Sequence, residues 1–113
     1  MKIISIGLVL ILSGCSFILP VSHDPVLFNN LIETKMAIQT LTCDDKYWDS
    51  SQIYVERLKL YAVARTDPQA DTIIALQEAI SKAKASDNKV FCESVLKIQK
   101  ARIEVILNAW KFR

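Results

Sequence analysis

Glycine is nearly missing from these 113 residues, with two in all, and proline occurs three times. That stock builds few β-turns and no glycine-rich phosphate loop, so helices joined by short connections are expected. Histidine occurs once, as His23. No His/Cys cluster has metal-ligand spacing, and no Ser/His/Asp set assembles around a single histidine held on a linker. The expectation is a non-enzyme with no catalytic residue, metal, cofactor or small-molecule substrate. A surplus of one charge is lacking too: 14 Lys and Arg stand against 12 Asp and Glu, for a net +2. That balance is wrong for a polybasic nucleic-acid binder.

What the chain does have is a marked start, MKIISIGLVLILSGCS. Lys2 supplies a short positive end, residues 3–12 are mostly apolar, and small residues lead to Cys15. The apolar run is shorter than the roughly 20 residues a membrane-spanning helix needs, so it reads as a cleaved segment. Leu12-Ser13-Gly14-Cys15 resembles the lipobox of bacterial lipoproteins. The resemblance implies removal of residues 1–14 as a signal peptide, acylation of Cys15 and export to the envelope, with no cofactor beyond the covalent lipid. Ser16 follows where aspartate is the usual inner-membrane retention signal in enterobacteria, so the outer membrane is the expected destination, with the domain facing the periplasm. The three acyl chains implied exceed the two membrane signals that stable anchoring takes.

Removing 14 residues from 113 leaves 99, enough for one small domain. With Lys2 gone the balance falls to +1, His23 neutral. The basic residues are uneven: Lys97, Lys100, Arg102, Lys111 and Arg113 crowd the end against Glu104. They suit an acidic partner or lipid head groups, and equally the dipole at a helix C-terminus. Beyond the lipidated cysteine, Cys43 and Cys92 form an even pair in an exported chain, so a disulfide is expected.

Residues 15–23, with Pro20 in the middle, form the lipidated tether, which reaches no more than about 30 Å. Residues 24–113 form the domain, expected to be all-α: a small up-down bundle of about four helices with one disulfide. Asp24-Pro25 supplies an N-cap and a first-turn proline, and helix one runs to about Thr42 on Leu27, Leu31, Ile38 and Leu41. Helix two runs from Tyr47 or Asp49 to Arg65 with Ile53, Val55, Leu58, Leu60 and Val63 among its apolar residues. Asp44, Asp45 and Asp49 are read as dipole partners and caps rather than a cation site. Thr66-Asp67-Pro68 opens helix three, and Ser86-Asp87-Asn88 caps helix four, about Lys89 to Lys111.

At about 100° per residue, helix four carries two apolar groups. Phe91, Ile98, Ala101, Val105, Ala109 and Phe112 surround one direction; Cys92, Leu96, Ile103, Ile106, Leu107 and Trp110 surround another. The combined arc, about 240°, exceeds the roughly 100° or more of an ordinary surface helix. Either helix four is central, or the Ile98, Ala101, Val105, Ala109 and Phe112 flank is kept for a partner. With short connections neighbours run antiparallel, so Cys43 and Cys92 meet at one end of the bundle and the acylated N-terminus lies at the other.

A lipobox, the Cys43/Cys92 placement and this length together resemble the pilotins of type II secretion systems. Those are small outer-membrane lipoproteins whose helical domain has a disulfide joining its first and last helices and a groove for a C-terminal segment of the secretin. The resemblance implies a protein-transport role: escorting a secretin subunit to the outer membrane for targeting or assembly. Two other readings use the same parts, an exclusion or immunity lipoprotein of a mobile element and a structural envelope lipoprotein.

Overall fold

The computed structural model describes residues 23–111; the signal segment, Cys15 and Phe112 lie outside the described residues. Asp24 opens the fold as its sequence predicts. Its Oδ1 accepts the backbone N–H groups of Val26 (3.1 Å) and Leu27 (3.2 Å), and Pro25 occupies the first helical position of α1, Pro25–Gln39. Asp24 also binds across the bundle: Tyr61 donates its hydroxyl (3.3 Å) and the Arg65 guanidinium lies 3.3 Å away. The chain therefore enters the domain against the last turn of α2, Asp49–Ala64.

The bond from the Leu27 N–H, with the Arg65 charge and the Tyr61 hydroxyl, lowers the Asp24 pKa from its ordinary 3.8. A lowered folded-state value contributes stability that is complete above 3.8 and is lost as pH falls through the lowered value. Asp24→Asn keeps the cap, since asparagine caps as well as aspartate, but removes the titrating charge. Its acid unfolding curve, followed by circular dichroism, should be flatter than that of the wild type below about pH 4. An unchanged acid limb would show Asp24 to be irrelevant to it.

Two further helices complete the bundle: α3, Ala70–Ala85, and α4, Lys89–Trp110. Among the described residues α1 packs on α2 and α4, and α3 packs on α2 and α4, with neither diagonal pair touching. This is the expected up-down bundle. The core is Leu27, Leu31 and Ile38 of α1, Val55, Leu58 and Ala62 of α2, Ile73, Leu76, Ile80 and Ala83 of α3, and Cys92, Leu96, Ile103, Ile106 and Trp110 of α4. Each helix thus contributes residues at helical spacing, the pattern that burial of one face requires. Within that core, Thr34 is fully buried and donates its hydroxyl to the carbonyls of Asn30 (2.6 Å) and Tyr54 (3.3 Å), which satisfies the group and ties α1 to α2.

The Cys43–Cys92 disulfide is present, with Cα atoms 6.1 Å apart. It joins the loop after α1 to the first turn of α4, at the end of the bundle away from Asp24. The same loop buries Trp48, whose indole N–H donates to the carbonyls of Thr42 (3.0 Å) and Asp45 (3.3 Å). Lys46 beside it sends its ammonium to the carbonyls of Ala83 (3.2 Å), Lys84 (3.1 Å) and Ser86, satisfying acceptors that the end of α3 leaves open. The acidic residues nearby go to separate cations, Asp44 to Lys89 (2.6 Å) and Asp49 to Lys84 (2.8 Å). The described residues contain no group of three or more potential metal ligands.

Two boundaries differ from expectation. Helix one stops at Gln39, three residues short of Thr42, because the chain must turn early to bring Cys43 to α4. Asp67-Pro68 leads into α3 rather than opening it: Asp67 accepts the Gln69 N–H (2.8 Å) in a turn, and the helix begins at Ala70. α2 and its C-cap Arg65 close with Thr66 at φ 52°, the Thr66 N–H bonded to Val63 (3.0 Å) and the Asp67 N–H to Ala62 (2.9 Å). This is a Schellman ending, which favours glycine at the left-handed residue. Both glycines of the chain lie at positions 7 and 14, so a β-branched threonine holds the strained conformation. Thr66→Gly should raise stability by about 1 kcal/mol in urea denaturation; a loss would show that the threonine side chain is needed.

Candidate partner-binding face

α4 presents one of its two apolar groups to the core and the other to solvent. It is not central: its neighbours are α1 and α3 alone, and only one of its apolar groups is in the core. Cys92, Leu96, Ile103, Ile106 and Trp110 are buried, with Leu107 at the margin. The other group faces out. Phe91 is 44% exposed, Ile98 55% and Val105 66%, and Ala101 and Ala109 are exposed beside them. Phe112 lies outside the described residues.

Phe91, Ile98 and Val105 recur every seven residues. On a helix of 3.6 residues per turn that spacing drifts only about 20° per step, so they form one nearly straight ridge. Along the edge of the ridge runs a groove of about 290 Å³ between α3 and α4. Its α3 wall is low because it carries Ala75 and Ala79, and Phe91, Val95 and Ile98 form the α4 wall. Gln99 is buried beneath it and accepts a hydrogen bond from Arg102 (2.9 Å), which holds the guanidinium along the groove. Glu78 and Lys82 stand on the α3 side. An apolar ridge with small residues beside it is the surface that an amphipathic helix would fit.

The basic C-terminal cluster is divided by the structure. Lys100 donates to the carbonyl of Leu41 (3.0 Å), so it serves the loop that carries Cys43. Glu104 pairs with Lys35 of α1 at 2.7 Å. Lys97 is exposed, and Arg113 lies outside the described residues. A hollow of about 390 Å³ beside the disulfide mixes Asp44 and Glu93 with Lys97 and Lys100, a less apolar lining than that of the α3–α4 groove.

No family model, no curated protein and no solved structure matches this chain.

The sequence reading missed one surface. Ile53, Leu60 and Val63 stand in the apolar pattern of helix two, yet Ile53 is 68% and Leu60 59% exposed, and Val63 is also exposed. Met36 of α1 is exposed as well. On α2 the signal was present in the spacing: Leu58 and Val55 claim the core face, and Ile53 and Leu60, seven apart, fall on the far side of the helix. His23 is exposed and lies against the Phe28 ring with centroids 5.6 Å apart. It lines a small hollow with Asp24, Leu27, Phe28 and Trp110.

Proposed function

We propose that this protein is a lipoprotein of the outer membrane, anchored through Cys15 with its helical domain in the periplasm, and that it binds a protein partner along α4. The observation that carries the binding half is the exposed Phe91–Ile98–Val105 ridge on a helix whose other face already supplies the core. A stripe of this length has no role in the monomer's own packing, and exposed contiguous apolar surface favours association. The anchoring half rests on the lipobox resemblance at Leu12 to Cys15.

A pilotin-like role suits these parts best: the groove receives a helical segment of a secretin, and the lipid anchor carries the complex to the outer membrane. The groove carries Glu78 beside Lys82 and Arg102, so its apolar wall rather than its charge supports the fit.

The test is affinity capture of the intact lipoprotein from crosslinked, solubilised envelopes, with partners identified by mass spectrometry. A secretin supports the pilotin-like role. Recovery of a surface receptor or a conjugation component replaces it with exclusion, and recovery of no protein replaces it with a structural envelope role. A Cys15 peptide lacking acyl chains would overturn the anchoring half.

A further inference from the structure

A second apolar surface lies on the opposite side of the bundle from the α4 ridge, since α2 and α4 are diagonal and do not touch. It is a shallow hollow of about 530 Å³ on the outer face of α2, lined by Ile53, Glu56, Arg57, Leu60, Tyr61 and Ala64. Ile53 and Leu60 are 68% and 59% exposed. At about 100° per residue they lie about 20° apart, directly opposite the buried Val55, Leu58 and Ala62. Glu56 lies about 50° to one side of this stripe and Arg57 about 50° to the other. The packing agrees with that division: Arg57 pairs with Glu33 of α1, whereas Glu56 lines the groove between α2 and α3 with Gln77 and Ile80.

We infer that this face pairs with the same face of a second copy of the chain, the two α2 helices running parallel about a two-fold axis. Charge decides the orientation. A two-fold axis along the helices turns the Glu56 flank of each copy onto the Arg57 flank of the other, so both sides of the seam carry a Glu56–Arg57 pair. An antiparallel pair, whose axis crosses the helices, sets Glu56 against Glu56 and Arg57 against Arg57. Within one copy Lys59 lies 3.6 Å from Glu56, and Glu33 pairs with Arg57. Parallel pairing extends these into an alternating row on each side: Lys59, Glu56, then Arg57 and Glu33 of the other copy. Ile53 and Leu60, seven residues apart, meet their own counterparts as successive heptad positions do in a parallel coiled coil. Ala64 lets the helices come close one turn further on.

One helix face is smaller than a standard interface of about 1,200 Å² or more, so the pair is of the weak class in dilute solution. Confinement of both copies to one surface raises their effective concentration and favours it. Parallel pairing sets Asp24 of both copies at the same end, as two chains anchored in one membrane require. That agreement rests on the lipid-anchor reading, whereas the pairing itself rests on the α2 face. It leaves the α4 ridge of each copy open to a partner.

The test co-expresses two differently tagged full-length chains in cells, one of them carrying the photocrosslinker p-benzoylphenylalanine at Leu60. Irradiation should yield an adduct with the mass of two chains, joined to the other copy's tryptic peptide Leu60–Arg65. A join to Tyr47–Arg57, the peptide that holds Ile53, would overturn the parallel orientation; adducts only to lipid or another protein, or no adduct, would overturn the pairing. Glu56→Arg in both copies, or Arg57→Glu in both, should lower the yield at least about tenfold, because each sets like charges together on both sides of the seam. Glu56→Arg in one copy with Arg57→Glu in the other should restore it, because every charge across the seam then meets its opposite. Equal yields in all combinations, or no restoration by the mixed pair, would overturn the charge pairing. Circular dichroism of each purified variant checks its fold. Ile98→Asp should leave the adduct unchanged while it removes partner binding, so failure of the α2 pairing and failure of the α4 reading are distinguishable. Loss of the adduct in Ile98→Asp would overturn the placement of the pair on α2.

Discussion

Replacing both Cys43 and Cys92 with alanine should lower the stability of the domain by on the order of 4 kcal/mol. The bridge spans 49 residues, and chain entropy assigns a loop of that length about this much in the unfolded state. A domain of this size has a net stability of only about 5–15 kcal/mol, so the loss is a large fraction. The native surroundings add to it: Cys92 is fully buried and packs in the core with Leu41 and Leu96, so alanine also leaves a small void. Urea denaturation of the double variant, compared with the wild type under oxidising and reducing conditions, measures the effect. The wild type should fall toward the variant when reduced, and the variant should not respond. A difference below about 1 kcal/mol would show that the loop is held closed without the bridge, by Trp48, Lys46 and Lys100.

Ile98→Asp and Val105→Asp should each weaken partner binding by at least about 30-fold while leaving the fold intact. A carboxylate in the middle of an apolar contact must be desolvated without a counter-charge, and a central interface residue contributes about 2 kcal/mol or more. Both positions are more than half exposed in the monomer, so the stability change should be within about 0.5 kcal/mol. Binding is measured by titration of the captured partner, and the fold by far-ultraviolet circular dichroism. Unchanged affinity in both variants would move the interface off α4. Loss of helix signal in either would show the ridge to be core in solution.

Charges show where sequence reasoning stops. Five basic residues near the C-terminus look alike in a sequence, yet Lys100 caps a loop carbonyl 59 residues away and Arg102 is held by Gln99 along the groove. Lys46, unremarkable between Asp45 and Tyr47, reaches the carbonyl end of α3. These assignments depend on which helix end comes alongside which loop, and no local pattern contains that.

The sequence by itself determined the all-α class, the number of helices, the Asp24 cap and the Cys43–Cys92 pairing, because each follows from period, local capping chemistry or parity; which of Ser86, Asp87 and Asn88 caps α4 was decided by the structure, where Asn88 accepts the Phe91 N–H. Glycine scarcity foretold few turns; the strained Thr66 shows what the chain does where one is needed. The tertiary structure alone decided which apolar residues are interior. α4 carries two apolar groups and α2 an apolar outer stripe, and composition treats all of them as core. A four-membered ring of helices presents each helix with two neighbours and one interior direction, so only about a third of each circumference is covered. Packing therefore buried Cys92, Leu96, Ile103 and Ile106 and left Ile98 and Val105, with Ile53 and Leu60 across the bundle, in contact with solvent.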